Sequence, residues 1–288
     1  MSTRKSGASL TVRPLTPSVG AEISGVDLAE DLSEDVFQQI YDAFLRYVVL
    51  VFRDQDIPPE RQVAFGRCFG EPQLHVLNQF HDSEHPELYL LSNLDENGEP
   101  SGAHPDPGTV YWHTDGSWTK RRTIATMLYA IEAPRKGGET HVANMYEAYQ
   151  SLDEPMRRRV DPLVAVHSLN FSRQRRDPTP LTEDQLRQVP PVEHAIVRRH
   201  PDTGRPAIYL GDHAESVVGM DYDEGRVLVD ELNETIIRPE FEYRHQWKPR
   251  ELIVWDNRCS LHRSSPYDTA TERRVVRRLT VLDAEPGS

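Results

Sequence analysis

Short runs in which apolar and polar residues alternate predict a chain built mainly of β-strands. Residues 11–28 alternate in this way, and further strands are predicted at residues 48–52, 123–131, 251–255 and 275–282. Short strands at even spacing favour a sandwich or a jelly-roll barrel. A barrel of this kind usually carries its binding site at the mouth, so we expect functional side chains near the ends of strands.

Helices are predicted beside these strands. Ser33 stands as an N-cap before an acidic first turn, and the apolar residues that follow recur at helical spacing as far as Leu45. Residues 58–70 and 221–237 have comparable helical patterns. The pattern as a whole predicts a mainly β fold with flanking helices.

The chain shows no internal repeat or low-complexity tract that would divide it. A length of 288 residues is compatible with one large β-rich domain. We therefore predict a single domain over residues 11–285, preceded by a disordered tail at residues 1–10. The tail contains basic residues but no apolar core, so it does not have the pattern of a secretory signal.

Composition narrows the classes of partner. A net charge of -13 argues against a nucleic-acid partner and against anionic membrane surfaces, since both reward basic patches. No apolar run approaches the ~18 residues of a membrane-spanning helix. The two cysteines, Cys68 and Cys259, have no spacing typical of a disulfide framework or a metal knuckle, so we expect a reducing cytoplasm.

Residues 75–109 are rich in Asp, Glu, Asn, Gly, Pro and His and show little periodicity. Such a segment beside a candidate metal-binding strand predicts a mobile active-site loop. A surface excursion without a role in the site explains the same composition equally well, and both interpretations stay open at this point.

Candidate chemistry begins with His113 and Asp115, which stand two residues apart in a segment that we interpret as a strand. Residues at this spacing point to the same side of a strand, so both could bind one metal ion. His262 follows a buried strand and a polar turn and could complete the site. Two histidines and one carboxylate with open coordination positions are diagnostic of non-haem Fe(II) oxygenases. The chain has 12 histidines, so a His-x-Asp pair alone is weak evidence.

Arg274 and Arg278 lie in the segment of residues 273–281, and strand geometry places them on one face. A surface strand explains some of the arginines there. A buried guanidinium without a partner is costly, however, so an inward arginine predicts an anionic ligand or an acidic side chain. Asp256 and Asn257, in the turn before His262, are interpreted as turn-stabilising residues rather than catalytic ones.

Taken together, the motifs resemble the taurine dioxygenase and 2,4-dichlorophenoxyacetate dioxygenase family of Fe(II)- and 2-oxoglutarate-dependent oxygenases. The resemblance is carried in the same order by Trp112-His113-Thr114-Asp115, Gly137-Gly138-Glu139-Thr140, His200-Pro201-Asp202-Thr203-Gly204-Arg205, Trp255-Asp256-Asn257-Arg258 with His262, and the pair Arg274 and Arg278. It runs from about residue 12 to residue 284 and is nearer to the phenoxyacetate branch. It implies a double-stranded β-helix, or jelly-roll, core.

The resemblance also implies the metal site. Its iron ligands would be His113, Asp115 and His262, with no further catalytic side chain. The implied cofactors are Fe²⁺, 2-oxoglutarate as cosubstrate and O2.

The two organic ligands are assigned by the same resemblance. Thr140 would hydrogen-bond a carboxylate of 2-oxoglutarate, and Arg274 would pair with its distal carboxylate. Arg278 would face the anionic group of the prime substrate. His75 lies where the family places a residue on the substrate side.

The expected reaction is hydroxylation of a small carboxylate, for example an aryloxyalkanoate, with release of succinate and CO2. The same chemistry on an alkylsulfonate such as taurine is the alternative. A non-catalytic barrel that binds a metal or an anion is an alternative of another class. A zinc hydrolase is disfavoured because no carboxylate stands out as a general base and the two arginines would have no use. By analogy with the family we expect a homo-oligomer, either a dimer or a tetramer.

Overall fold

The computed structural model describes residues 10–74, 84–175 and 181–283. The predicted tail, apart from Leu10, lies outside the described residues, and so does His75. Among the residues that are described, no helix is long and apolar enough to cross a membrane.

The fold is mainly β with helices, as the hydrophobic pattern predicts. The strands are β1 (Thr11–Pro14), β2 (Ala21–Ser24), β3 (Val49–Phe52), β4 (Glu71–Pro72), β5 (Tyr89–Ser92), β6 (Thr123–Glu132), β7 (Thr140–Asn144), β8 (Val164–His167), β9 (Val192–Ala195), β10 (Val197–Arg199), β11 (Pro206–Ile208), β12 (Ala214–Val217), β13 (Glu242–His245), β14 (Leu252–Asp256), β15 (Ser260–Ser264) and β16 (Val275–Leu282).

Helices lie at intervals between these strands. They are α1 (Glu34–Tyr47), α2 (Pro59–Arg67), α3 (Met145–Ser151), α4 (Glu154–Val160), α5 (Leu169–Gln174), α6 (Glu183–Gln188) and α7 (Tyr222–Ile236), with short 3-10 turns at Pro107–Val110 and Pro239–Phe241. Ser33 caps α1, since its side chain accepts a hydrogen bond from the backbone N–H of Val36, as predicted.

The largest sheet has the strand order β1-β2-β3-β14-β6-β16-β4, with β5 also paired to β16. Strands β2 and β3 run parallel, while the other neighbours in this sheet are antiparallel. Alternate residues of β3 enter different clusters of the core: Val49 and Val51 enter one, and Leu50 and Phe52 enter the other. The strand is therefore buried on both faces, which explains its continuous apolar run.

A smaller antiparallel sheet, β13-β7-β15, packs against one face of the large sheet. Side chains of both sheets, such as Val142 and Leu261 from the small sheet and Ile253 from the large one, belong to the same buried cluster. Residues from β6, β7, β15 and β16 therefore converge on the space between the two sheets.

Helices α1 and α2 cover the other face of the large sheet. A Cβ at Gly66 of α2 would collide with the side chain of Leu279 in β16, so the helix lies unusually close to that strand. Gln62 of the same helix accepts from Nε of Arg277 at 2.7 Å and donates to its backbone carbonyl at 3.1 Å. Arg277 is thus a buried structural residue on one face of β16, and it leaves the other face to Arg278.

Candidate metal centre and cosubstrate pocket

The backbone brings His113 and His262 together directly. Each residue donates its N–H to the carbonyl of the other, at 3.0 and 2.8 Å, and the imidazole centroids are 4.2 Å apart. The expected strand at residues 110–115 is only partly present: residues 107–110 form a 3-10 turn, His113 forms an isolated bridge, and Asp115 begins a turn. The bridge to β15, rather than strand alternation, therefore sets the geometry of the site.

Asp115 completes a buried cluster with the two histidines. His113 Nε2 lies 3.7 Å from Asp115 Oδ1, and His262 Nε2 lies 3.6 Å from Asp115 Oδ2. These distances are too long for hydrogen bonds. One potential ligand atom from each residue lies within 4.8 Å of the others, so the three side chains can hold one metal ion.

The orientation of His113 favours metal binding. Its Nδ1 lies 2.7 Å from the carbonyl oxygen of Tyr111, which can only accept, so we assign the ring proton to Nδ1. The lone pair of Nε2 then faces Asp115. In metal sites, the histidine nitrogen that does not bind the metal usually donates a hydrogen bond to a carbonyl or a carboxylate in this way.

Asp115 is held as an anion. Burial alone would raise the pKa of Asp115, but the positive Arg278 and the two neighbouring histidines keep it well below its usual range. Arg278 Nη2 lies 2.8 Å from Oδ1, and the Thr126 hydroxyl donates to Oδ2 at 2.6 Å. Burial and the proximity of His113 lower the pKa of His262, so its imidazole is neutral and available as a ligand.

Asn257 connects the segments that carry these side chains. Its Oδ1 accepts from Trp255 Nε1 at 3.1 Å and from the backbone N–H of Asp115 at 3.3 Å, and its Nδ2 donates to the Thr126 hydroxyl at 3.0 Å. We interpreted Asn257 from the sequence as a residue of its own turn. Its side chain instead braces the turn that holds Asp115, from about 140 residues away, which no local pattern could indicate.

A cavity of about 420 Å³ adjoins the cluster. The residues lining it include His104, Thr140, Trp255, His262, Arg274 and Arg278. Four side chains that the sequence predicted to act together therefore share one cavity. The part of the 75–109 segment that carries His104 also lines it, which favours the active-site interpretation of that segment over a surface excursion.

Arg274 is the cationic end of this cavity. It is 4% exposed, and no carboxylate of the described residues pairs with its guanidinium. Its backbone N–H is held by Asn93 Oδ1 at 2.8 Å, and burial lowers the pKa of the guanidinium. A buried, unpaired guanidinium is costly unless an anionic ligand neutralises it, so the cavity is suited to a carboxylate.

Thr140, at the start of β7, is prepared to donate a hydrogen bond. Trp247 Nε1 lies 3.0 Å from its hydroxyl oxygen, and an indole nitrogen can only donate. The Thr140 proton is therefore available to an acceptor in the cavity. Trp247 was missed in the sequence because it lies more than a hundred residues from Thr140.

The residues present fit a ferrous ion. Two neutral imidazoles and one carboxylate form the donor set of non-haem iron sites that keep open positions for ligands. The adjoining cavity is lined by the guanidinium of Arg274 and the hydroxyl of Thr140, so it offers room for an anionic cosubstrate beside the metal.

Comparison with known proteins agrees with this chemistry. The family model described as taurine catabolism dioxygenase TauD, TfdA family matches residues 11–280. The alpha-ketoglutarate-dependent 2,4-dichlorophenoxyacetate dioxygenase of Cupriavidus pinatubonensis is 34% identical over 285 residues, covering 96% of this chain and 98% of that protein. The (S)-phenoxypropionate/alpha-ketoglutarate-dioxygenase of Sphingobium herbicidovorans is 31% identical, covering 92% of each chain.

A solved structure with the same architecture is that of AAD-2 in complex with Mn(II) and N-oxalylglycine. It superposes with a TM-score of 0.84 at 34% identity and covers 97% of this chain and 100% of its own.

Fold, site and relatives together define a non-haem iron oxygenase. The chain belongs to the taurine catabolism dioxygenase TauD, TfdA family. It is a 2-oxoglutarate-dependent dioxygenase that uses Fe²⁺, 2-oxoglutarate and O2, which confirms the class of enzyme and the cofactors predicted from the sequence.

Proposed function

We propose that His113, Asp115 and His262 ligate the iron of this dioxygenase. The observation that carries the proposal is their convergence in one buried cluster whose carboxylate contacts neither histidine at hydrogen-bonding distance. Asp115 stays ionised because Arg278 and Thr126 stabilise its charge, so it can bind a cation at neutral pH.

The cavity beside the cluster holds 2-oxoglutarate in this proposal. Arg274 neutralises the distal carboxylate, and Thr140 donates its hydroxyl proton to a carboxylate oxygen. These two residues and His262 all line the cavity. With metal, cosubstrate and O2 bound, the site hydroxylates a C–H bond of the prime substrate and releases succinate and CO2.

We infer that the prime substrate is a small carboxylate of the aryloxyalkanoate type. Arg278 lines both the larger cavity and a second one of about 220 Å³ that also involves Gln73, Glu87, Tyr89 and Thr280. The negative charge of Glu87 is paired with Arg67 at 3.0 Å. The guanidinium of Arg278 therefore lies where an anion in the second cavity would reach it while it still contacts Asp115. The relatives named above act on phenoxyacetate and phenoxypropionate acids, which have this chemistry. His75, on the substrate side by family resemblance, is proposed as a further contact.

An alkylsulfonate is the second candidate, because a sulfonate would also pair with Arg278 and because the matching family is described by taurine catabolism. Succinate release measured in parallel with aryloxyacetates, phenoxypropionates and alkylsulfonates distinguishes the two. Preference for sulfonates over every aryloxyalkanoate tested would reject the carboxylate proposal.

We further propose that residues 11–285 form one catalytic domain with a double-stranded β-helix core. The packing of the β13-β7-β15 sheet on the large sheet around a shared apolar cluster supports this topology. A cytoplasmic location is consistent with two cysteines that are both free, Cys68 and Cys259. Assembly as a dimer or tetramer rests on the family alone.

The ligand assignment is tested by mixing the protein anaerobically with Fe(II) and 2-oxoglutarate. A weak visible charge-transfer band is expected, and His113→Ala or Asp115→Ala should abolish it. The matched control is His85→Ala, which removes an imidazole near Glu60 and should leave the band intact. An unchanged band in the site variants rejects the assignment.

A further inference from the structure

His104 forms part of the wall of the cavity that contains Arg274. Its Nδ1 accepts a hydrogen bond from the backbone N–H of Asp106 at 3.1 Å. A backbone N–H is always the donor, so Nδ1 carries no proton and the neutral ring has its proton on Nε2. The local turn therefore makes the Nε2 of His104 a hydrogen-bond donor.

This donor is not used within the protein. The Nε2 atom is buried, and it has no hydrogen-bond partner in the parts of the chain that the structure describes. Leaving a donor buried and unpaired is unfavourable, so such groups usually meet a ligand or water. The position on the cavity wall points to a ligand.

The surroundings of His104 favour an anionic ligand. Burial and the nearby positive charge of Arg274 lower the pKa of His104, so the ring is neutral and keeps the tautomer set by Asp106. Tyr267 lies beside both residues: its ring centroid is 5.7 Å from that of His104, and it also interacts electrostatically with Arg274. Asp106, the acidic residue nearest in sequence, uses Oδ1 to accept from the backbone N–H of Gly108 at 3.1 Å.

We propose that His104 is a second recognition residue for the distal carboxylate of 2-oxoglutarate, to which its Nε2–H donates while Arg274 neutralises the charge. The inference rests on the proposed seating of the cosubstrate at Arg274. The guanidinium of Arg274 supplies charge and a planar fork of donors, and a second donor at a different point of the wall further restricts where the distal carboxylate can lie. His104 would thus make the site prefer a five-carbon dicarboxylate to keto acids with an apolar end.

The test compares His104→Phe, which keeps a flat ring without a donor, with His104→Gln, which retains an N–H donor. Binding is measured calorimetrically on the Mn(II)-loaded protein without O2 or prime substrate, using 2-oxoglutarate, N-oxalylglycine and 2-oxobutyrate, which lacks the distal carboxylate. We expect His104→Phe to weaken binding of the two dicarboxylates about tenfold or more, as for loss of a hydrogen bond to a charged group, and to leave 2-oxobutyrate unchanged. His104→Gln should recover most of the loss.

The outcomes separate this inference from the proposal beneath it. An equal loss for 2-oxobutyrate and the dicarboxylates in His104→Phe would mean that His104 only shapes the wall, and the inference would be wrong. Arg274→Met provides the reference. If it weakens dicarboxylates selectively while His104→Phe has no effect, the seating stands and the role of His104 is rejected. If Arg274→Met does not weaken the dicarboxylates more than 2-oxobutyrate either, the proposed binding of 2-oxoglutarate at Arg274 is itself wrong. Equal Mn(II) affinity and thermal unfolding midpoints verify that the variants are folded.

Discussion

Among the residues that the structure describes, two buried groups of potential metal ligands combine histidine with aspartate: His113, Asp115 and His262 form one cluster, and His200, Asp256 and Cys259 form the other. Both bring three potential metal ligands within 4.8 Å of one another. By residue type and burial alone, either could be a metal site. Their hydrogen bonds distinguish them.

The second cluster uses its lone pairs internally. His200 Nδ1 accepts from the backbone N–H groups of Asp202 and Thr203, at 3.2 and 3.3 Å, so its Nε2 donates to Asp256 Oδ2 at 3.0 Å. Arg258 contacts both oxygens of Asp256, at 2.8 and 2.7 Å. Burial raises the pKa of the Cys259 thiol, so it stays protonated.

In the first cluster, Nε2 of His113 and Nε2 of His262 lie 3.7 and 3.6 Å from the carboxylate of Asp115, too far for hydrogen bonds. The comparison teaches that a candidate metal site is recognised by potential ligand atoms that converge on a point without hydrogen-bonding one another. A cluster of the same residue types whose donors and acceptors are all matched to one another is part of the scaffold.

Among the variants that test the difference between the two clusters, Asp115→Ala should have the largest effect. Removing the only carboxylate from the first cluster should weaken Mn(II) binding by more than about 100-fold, beyond the 10–100-fold typical of losing an outer contact. Calorimetric titration with Mn(II) measures it. Asp256→Asn is the matched control, since its folded fraction should bind Mn(II) normally; loss of metal affinity there would break the distinction between the clusters.

Asp256→Asn should instead destabilise the fold by about 1.5–3 kcal/mol, because the buried Arg258 loses its hydrogen bonds to a charged carboxylate and keeps an ion pair with the partly exposed Asp202. Urea unfolding measures the free energy. Asp115→Ala is the matched control for the free energy of unfolding. It also removes the carboxylate partner of Arg278, but the side chain of Arg278 is more exposed than that of Arg258, 16% against 8%, so water can solvate its charge. The loss of stability should therefore be smaller than that of Asp256→Asn, and an equal loss would contradict a specialised metal-binding role.

Acid should erase the stabilising effect of Asp256. Although burial opposes ionisation, Arg258 lowers the pKa of Asp256 to about 2 in the folded protein, below the ordinary value of about 3.9. A carboxyl with a lowered folded pKa stabilises above its unfolded pKa and loses that contribution as pH falls. The gap in unfolding free energy between wild type and Asp256→Asn should therefore narrow from about pH 5 towards about pH 2. A constant gap would show that the contribution of Asp256 does not depend on its charge.

Asn257→Ala should have an intermediate effect on the first cluster. Loss of the amide removes the brace between Thr126 and the turn of Asp115, so Mn(II) affinity should fall about 10–100-fold. Electron paramagnetic resonance of bound Mn(II) reports both affinity and geometry. Unchanged affinity with reduced stability would assign Asn257 to the scaffold.

The smallest effect is expected from Trp247→Phe. It removes the donor to Thr140 while keeping an aromatic ring, so 2-oxoglutarate binding should weaken by about 0.5–1.5 kcal/mol, a few-fold in affinity. Mn(II) affinity should not change. Thr140→Val should weaken cosubstrate binding at least as much, and Trp247→Phe should add little to it if the two residues act together.

Local patterns could predict much of this protein because they depend on neighbours in the chain. Alternation indicated the mainly β fold, and the Ser33 cap indicated α1. The spacing of His113 and Asp115 suggested one metal site even though the strand expected there proved to be a turn with a single bridge. The sequence also offered His262, Arg274 and Arg278 as candidates, and the family resemblance implied their individual roles.

The sequence by itself determined which residue types are available and in what order, since composition and periodicity are properties of the chain. Only the tertiary structure decided which histidine–aspartate cluster keeps its lone pairs, because matched hydrogen bonds depend on partners far apart in the sequence. The same holds for Asn257 and Trp247, whose partners come from distant segments, and for His104, which shares a cavity with the distant Arg274. Side chains whose roles depend on such long-range contacts have no local sequence pattern, so the tertiary structure is needed to identify them.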